Sequence, residues 1–569
     1  MNLPRPEHPN PQFERERWLC LNGAWEFQKD PGKSGKARGL FAPDAVFSDK
    51  ITVPFCPQSR LSGVSDTDFL PCVWYRRSIS VTPEQLSGLV MLHIGACDYR
   101  TTVYVNAVCA GTHSGGYVSF GFDITEFLRA GENKLVICAE DDERDPMIPR
   151  GKQSEEYFSH GCDYTRTTGL WQTVWLEFLP KTHIASVKLF PDIRGALTVN
   201  AALSGAGTLT AKACYEGRIV GEASLSSGGG SETLHLPLNE VHLWEPGQGR
   251  LYDLLLTYGE DSVKSYFGLR SVQLDGYKFR INGRSVFQRL ILDQGFNPEG
   301  IYTAPTDDFL RGDIERSMAM GFNGARLHEK IFEPRFLYHA DKLGYLVWGE
   351  YPNWGLDHTR PESVFPMLYE WMQEVERDFN HPSIIGWCPF NETWDRERRK
   401  QCDDVLRTVY RVTKAIDPTR PCIDVSGGYH VETDIFDVHD YDQDPAVFKA
   451  HYDKLMETGE LFDHLGDRQH YRIGQAAFVS EYGGIRWSEG DGWGYGNAPK
   501  TAEEFLARYR GLTEALLQND RLFGFCYTQL TDVEQEQNGL YTYDRKPKFD
   551  PAILRAINTQ KAAIEDDEV

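Results

Sequence analysis

Apolar residues follow two different rhythms along this chain. Up to about residue 180 they come in short alternating runs: AWEF (24–27), ITVP (51–54), VWYRRSISV (73–81), VMLHIGACDYRTTVYVNAVCAG (90–111), NKLVICAEDD (133–142) and WQTVWLEF (171–178). Period-two alternation is clearest from Thr101 to Val105 and from Thr173 to Phe178, and turn residues at Asp123, Gly131-Glu132-Asn133 and Gly169 separate the runs. This spacing predicts a jelly-roll β-sandwich over residues 1–180. Residues 181–272 carry a second set of short strands, the length and pattern of an immunoglobulin-like β-sandwich. Within it Ser226 to Ser231, SSGGGS, reads as a flexible loop.

From residue 273 to residue 569 the rhythm changes. Apolar runs now alternate with helical segments, which predicts parallel β/α architecture. Eight strand candidates occur: 289–294, 324–329, 345–351, 384–392, 422–427, 436–441, 476–483 and 522–530. Helices are expected over 307–320, 334–343, 365–380, 396–416 and 501–519, with no room for one between strands five and six. Eight strands in roughly 280 residues make a C-terminal (β/α)8 TIM barrel.

The strands end alike. Asp293-Gln294, Arg326-Leu327-His328-Glu329, Glu350, Asn391-Glu392, His439-Asp440, Glu481 and Gln529 each follow an apolar run. In a barrel these ends share one face, where active sites are built. A carboxylate there is costly to desolvate, so it needs partners or a task. Glu392 and Glu481 end strands four and seven and would face each other across the mouth. Two facing carboxylates suit glycoside cleavage, because one must deliver a proton while the other stays ionised to attack or to activate water. Asn391 offers an amide to a sugar hydroxyl, and Tyr441 a hydrogen bond to the ionised carboxylate. Asp293, His328, Glu350 and His439 are candidates for sugar hydroxyls, with Asp293 and His439 the stronger pair. His439 also reads as a core imidazole, and Arg326 as the partner of two structural Glu. Trp354 and Trp487 lie in loops after strands three and seven. They suit a sugar platform or lid, or packing against the sandwiches.

Composition narrows the classes. The net charge of −23 argues against nucleic acid or an anionic membrane as partner. No run of about 18 apolar residues predicts a membrane span. The N-terminal stretch lacks an apolar signal core, and the 12 Cys form no CxxC pair, so reduced thiols and a cytoplasmic location are expected. A metal-dependent barrel hydrolase would draw on His328, His439, Asp440 and Glu392, but the HxH usual on strand one is replaced by Asp293-Gln294. No metal or cofactor is therefore expected. A non-catalytic carbohydrate-binding protein is a third class, set against the presence of both Glu.

Taken together, LNGAWEF, GLWQTVWLEF, FGLR, FRINGRSVF, GFNGARLHEK, LGYLVWGEYP, HPSIIGWCPFNETW and FVSEYGG resemble glycoside hydrolase family 2 along nearly the whole chain. The resemblance implies that Glu392 is the acid/base and Glu481 the nucleophile of a retaining exo-β-glycosidase. Their carboxyls should then lie about 5–5.5 Å apart, with Glu392 held protonated by a raised pKa. It implies a carbohydrate substrate and leaves a homo-oligomer open. Three departures stand out. One residue rather than two separates Arg326 from His328. Tyr527 and Gln529 stand where a large aromatic often follows strand eight. Glu536-Gln537-Asn538-Gly539 replaces the Asn-x-Lys that binds the carboxylate in β-glucuronidases. β-Galactosidase is the first reading, ahead of β-glucuronidase, β-mannosidase and α-L-arabinosidase.

Overall fold

The computed structural model describes residues 3–466, 468–488 and 490–566. The first sandwich packs a four-stranded antiparallel sheet on a six-stranded one. Its longest pair, Cys72–Val81 against Gly131–Glu140, runs in unbroken register. Alternate residues such as Val73, Tyr75, Leu135 and Ile137 turn into one core with Leu92 and Leu176 from the facing sheet. The second unit packs three strands on four, seven in all, as expected of an immunoglobulin-like sandwich. The SSGGGS stretch is not a long loop. Strand Arg218–Ser227 runs into Gly230–Pro237 through a tight turn at Gly228-Gly229, where Gly229 sits at φ 100°.

FRINGRSVF supplies two strands of a small three-stranded sheet completed by Val272–Asp275, with Phe279 against Trp348 and Phe523. The barrel strands then follow as Gln288–Asp293, Gly324–Leu327, Leu346–Glu350, Ile384–Cys388, Phe436–Asp440, Ala477–Gly483 and Leu522–Thr528, all parallel. The fifth candidate, 422–427, is not a regular strand. It nevertheless follows strand four: Ile423 N donates to Trp387 O (2.9 Å), Ser426 N to Phe390 O (2.8 Å), and Glu392 N to Ser426 O (2.8 Å). These bonds carry the pairing past Pro389, which has no N–H to give. No backbone ladder joins 422–427 to Phe436–Asp440; side chains close that gap. His430 lies between Asp424 (2.7 Å) and Asp437 (3.1 Å), and Ser426 Oγ donates to Asp437 (2.7 Å).

Helices Asp307–Ala319, Pro334–Leu343, Val364–Asp378 and Ala502–Leu517 lie where the pattern placed them. The helix expected from 396 begins only at Asp403, because 396–399 is a tight turn. Pro445–Thr458 and Pro551–Asn558 are further helices. All 12 cysteines are free thiols, seven of them buried. No helix among the described residues is long and apolar enough to cross a membrane.

Candidate active site

The period-two alternation of barrel strands builds the site. It turns Arg326 of strand two and Glu350 of strand three to the interior with His439 of strand six, while His328 and Tyr441 stand one residue past the ends of strands two and six. Arg326 is the hub. Its Nε donates to Glu350 Oε1 (2.5 Å), one Nη to Glu481 Oε1 (3.0 Å) and the carbonyl of Ser480 (2.8 Å), and the other Nη to Asn391 Oδ1 (3.1 Å). A planar guanidinium can hold this fan of acceptors where an ammonium cannot. His328 Nδ1 lies 3.1 Å from Glu350 Oε2. Burial, then Lys152, pushes the pKa of His328 well down, so its ring is neutral. Burial pushes Glu350 up, with Arg326 opposing it.

Glu481 takes a second hydrogen bond from Tyr441 OH to Oε2 (2.5 Å). The Tyr441 ring is stacked on Tyr495 at 3.5 Å, and its hydroxyl meets Thr528 Oγ1 at 3.0 Å. Glu392 leaves strand four at φ 45°, an uncommon backbone conformation for Glu that aims its side chain across the mouth. Asn353 fixes this turn, accepting from Asn391 N (2.7 Å) and donating to Asn391 O (3.1 Å).

His439 stands between the two acids. Its Nδ1 is 2.8 Å from Glu392 Oε1 and its Nε2 3.5 Å from Glu481 Oε1. Gly427 seats the ring: it holds φ 61°, and a Cβ there would come 2.3 Å from His439 Nδ1. One ligand atom from each of Glu392, His439 and Glu481 lies within 4.8 Å of the other two. The Glu481 side chain is 5% exposed and that of Glu392 26%. One acid is thus enclosed and the other reaches solvent.

The electrostatics differ from expectation at Glu392. Burial raises its pKa, but the hydrogen bond and charge of His439, helped by Lys152, outweigh this and leave it below the usual carboxylate value. Conversely, burial lowers His439, but Glu481 and Glu392 outweigh that and raise it. The two opposite shifts favour a proton on the imidazole over one on the Glu392 carboxyl.

The first sandwich takes part directly. A segment from 150 to 166 crosses the mouth, with Arg150 N donating to Trp354 O (2.8 Å). Tyr164 OH donates to Glu536 Oε2 (2.5 Å). Lys152, 4% exposed, holds its Nζ 3.3 Å over the Trp354 ring. Burial alone would lower its pKa, but Cys162, Glu392, Glu329 and Glu536 raise it, so it is a buried cation. Burial pushes Glu329 well up and also raises Glu536.

The structure thus brings together Glu392, Glu481, Arg326, His328, Glu350, Asn391, His439 and Tyr441. Trp354 lines the same mouth, with its Nε1 on Asn391 O (3.2 Å). Gln529 follows the eighth strand across a cis Thr528–Gln529 peptide, and its Nε2 donates to Asn538 Oδ1 (2.8 Å). Two expectations fail. Asp293 shares the outward face of strand one with Arg289, which pairs with Glu565 at 2.9 Å outside the barrel. Asp293 accepts from Gly295 N, and burial beside Asp313 pushes it up to about 6. Trp487 packs into the core against Phe505 and Phe549, and it is Tyr495 of the same loop that reaches the site. The metal set of His328, His439, Asp440 and Glu392 is not assembled either, because Asp440 turns away to His451 (2.9 Å) and Tyr452 (3.2 Å).

A TIM-type barrel with a carboxylate pair at its strand ends, behind two β-sandwiches, has the make-up of a glycoside hydrolase. Residues 20–180 match the family model described as the sugar binding domain of glycosyl hydrolases family 2, and residues 307–484 match that family's TIM barrel domain. The chain belongs to glycoside hydrolase family 2. It is 28% identical over 373 residues to a putative beta-glucuronidase of Formosa agariphila, covering 61% of this chain and 44% of that protein. It is 23% identical over 604 residues to a beta-glucuronidase of Paenibacillus borealis, covering 94% and 96%. It is 27% identical over 440 residues to a beta-galactosidase of Thermoanaerobacter pseudethanolicus, covering 71% and 56%. The chain thus spans about half the length of two of these relatives and nearly all of the third. The solved structure of a Lactobacillus rhamnosus beta-glucuronidase superposes with a TM-score of 0.81 at 18% identity, covering 98% of this chain and all of that one. At that identity the likeness concerns the fold.

Proposed function

We propose that the protein is an exo-acting, retaining β-glycosidase that works by double displacement. The observation that carries this reading is the short gap between the acids, whose nearest carboxylate oxygens fall within 4.8 Å. Retaining enzymes hold their carboxyls about 5–5.5 Å apart, and inverting ones about 6.5–9.5 Å to leave room for water. In the first step a Glu481 oxygen attacks the anomeric carbon. The glycosidic C–O bond breaks, its electron pair goes to the leaving oxygen, and Glu392 protonates that oxygen. Glu392 draws the proton from His439 Nδ1 as bound substrate excludes water and disfavours the separated charges. In the second step Glu392 deprotonates a water that attacks the anomeric carbon, and the ester bond to Glu481 breaks with its electrons returning to the carboxylate. The segment from 150 to 166 and the loop carrying Tyr495 wall the mouth into a pocket, which supports cleavage from a chain end.

A neutral terminal sugar, a β-galactoside first, is the reading that the charges favour. Arg326 is committed to Glu350, Glu481 and Asn391, and Glu536 stands where a uronate-binding lysine is missing. A second reading, a β-glucuronide, draws on the names of several relatives and on Lys152, a buried cation with no carboxylate within 4 Å among the described residues. A panel of nitrophenyl β-galactoside, β-glucuronide, β-mannoside and α-L-arabinoside decides between these. Glu481→Ala abolishes turnover of the best of them. Glu392→Ala slows poor leaving groups far more than good ones and is rescued by azide. Substantial activity in Glu481→Ala would remove the nucleophile assignment.

A further inference from the structure

A cavity of about 580 Å³ opens beside Glu392, within the range of small-molecule sites. Glu392 lines it, and among the described residues Glu481 does not. In double displacement the acid/base contacts the departing oxygen while the nucleophile attacks from the other side of the ring. A cavity that touches only the acid/base therefore lies on the leaving-group side. Its walls come from two domains: the 143–163 stretch of the first sandwich, and the barrel loops 353–358 and 392–397.

The lining has one aromatic face and a dense set of polar groups. Trp394 is 53% exposed and held edge-on to Trp354, ring centroids 5.6 Å apart. Trp394 lines the cavity and keeps about half of its surface exposed there. The lining carboxylates are largely paired: Asp163 with Arg150 (2.5 Å), Asp357 with Arg399 (2.8 Å), Asp395 with Lys400 (2.6 Å). Burial raises the pKa of Glu143, whose Oε1 lies 3.9 Å from Arg166 Nε. Paired charges still present lone pairs and N–H groups in fixed directions. They suit neutral hydroxyls better than an ion or an apolar group.

The geometry points to a leaving-group subsite that takes a further sugar ring, stacked on Trp394, so that the substrate is an oligosaccharide or glycan end rather than a small alkyl or aryl glycoside. This rests on the double-displacement reading and deepens it. The test compares a disaccharide and a glycosyl fluoride that share the terminal sugar identified by the panel. Fluoride leaves without filling the cavity. Trp394→Ala is expected to lower kcat/KM for the disaccharide about tenfold more than for the fluoride, the scale of one lost ring contact. It also lowers the share of the glycosyl intermediate captured by an added sugar acceptor rather than by water. Trp394→Phe keeps most of both. Equal losses on the two substrates, or an unchanged capture ratio, would overturn the subsite. Failure of the underlying mechanism is visible separately, as fluoride turnover that survives Glu481→Ala.

Discussion

Removing one hydroxyl, by Tyr441→Phe, tests the proposal that Glu481 is the nucleophile and is held by this side chain. The Tyr441 hydroxyl donates to Glu481 Oε2 at 2.5 Å and meets Thr528 Oγ1 at 3.0 Å. The ring itself is kept in place by its stack on Tyr495, so the variant folds. A hydrogen bond to a charged group is worth about 1.5–3 kcal/mol, against about 1 kcal/mol for the neutral contact to Thr528. In the proposed double displacement the charge on Glu481 is absent in the glycosyl ester and returns as that ester breaks. The bond to Tyr441 therefore strengthens along the second step, and its loss raises that barrier by up to its full worth. At about 1.4 kcal/mol per factor of ten, breakdown of the ester slows roughly 10- to 150-fold. With a dinitrophenyl glycoside, whose first step is fast, kcat falls by that factor. KM falls with it because the ester accumulates, and kcat/KM changes less. Stopped-flow release of dinitrophenol should show a burst of one equivalent per site. A fall in kcat with KM unchanged and no burst would refute the role given to this hydroxyl.

Three further outcomes follow from the same geometry. Burial opposes charge on His430, but Asp424 and Asp437 outweigh it and push it up to about 10. Its stabilising contribution is complete below the ordinary histidine value of about 6.5 and is lost as pH rises from there through about 10. The urea midpoint should fall between pH 6.5 and 9.5 in the unmodified protein and less steeply in His430→Asn; equal slopes would remove this clasp across the strand five to six gap. Lys152→Met should leave the ratio of glucuronide to galactoside kcat/KM unchanged, whereas a loss of tenfold or more confined to the glucuronide would move the assignment to uronates. Dialysis against a chelator should leave galactoside turnover intact, and loss restored by a divalent cation would favour a metal held by Glu392, His439 and Glu481.

Much of this site was legible because barrel strands carry their polar residues at one end, and Arg326, Glu350, Asn391-Glu392, His439 and Glu481 all end apolar runs. Asp293 broke the rule for a reason that was present: Arg289, four residues earlier on the same strand, shares its face and points outward to Glu565. Strands buried on both faces hide that parity. Helix Pro445–Thr458 also had its signals, Asp444-Pro445 before it and Gly459 after it, with Asp444 accepting from Ala446 and Val447 N. Trp487 looked like a platform by composition, yet the loop turns it inward and sends Tyr495 to the site. Lys152 had no local signal at all. It reaches Trp354 across 202 positions of chain, from a sandwich whose visible role was support. The lowered pKa of Glu392 was equally out of reach, since it depends on a 2.8 Å contact with His439.

The spacing of the two acids is tested most directly by following hydrolysis of the preferred aryl glycoside by proton NMR within the first minutes. Sugar released with the anomeric configuration of the substrate, before mutarotation mixes the forms, is the outcome that attack by Glu481 predicts. Initial release of the opposite anomer would mean that water attacks first, and would contradict a covalent ester between these carboxylates.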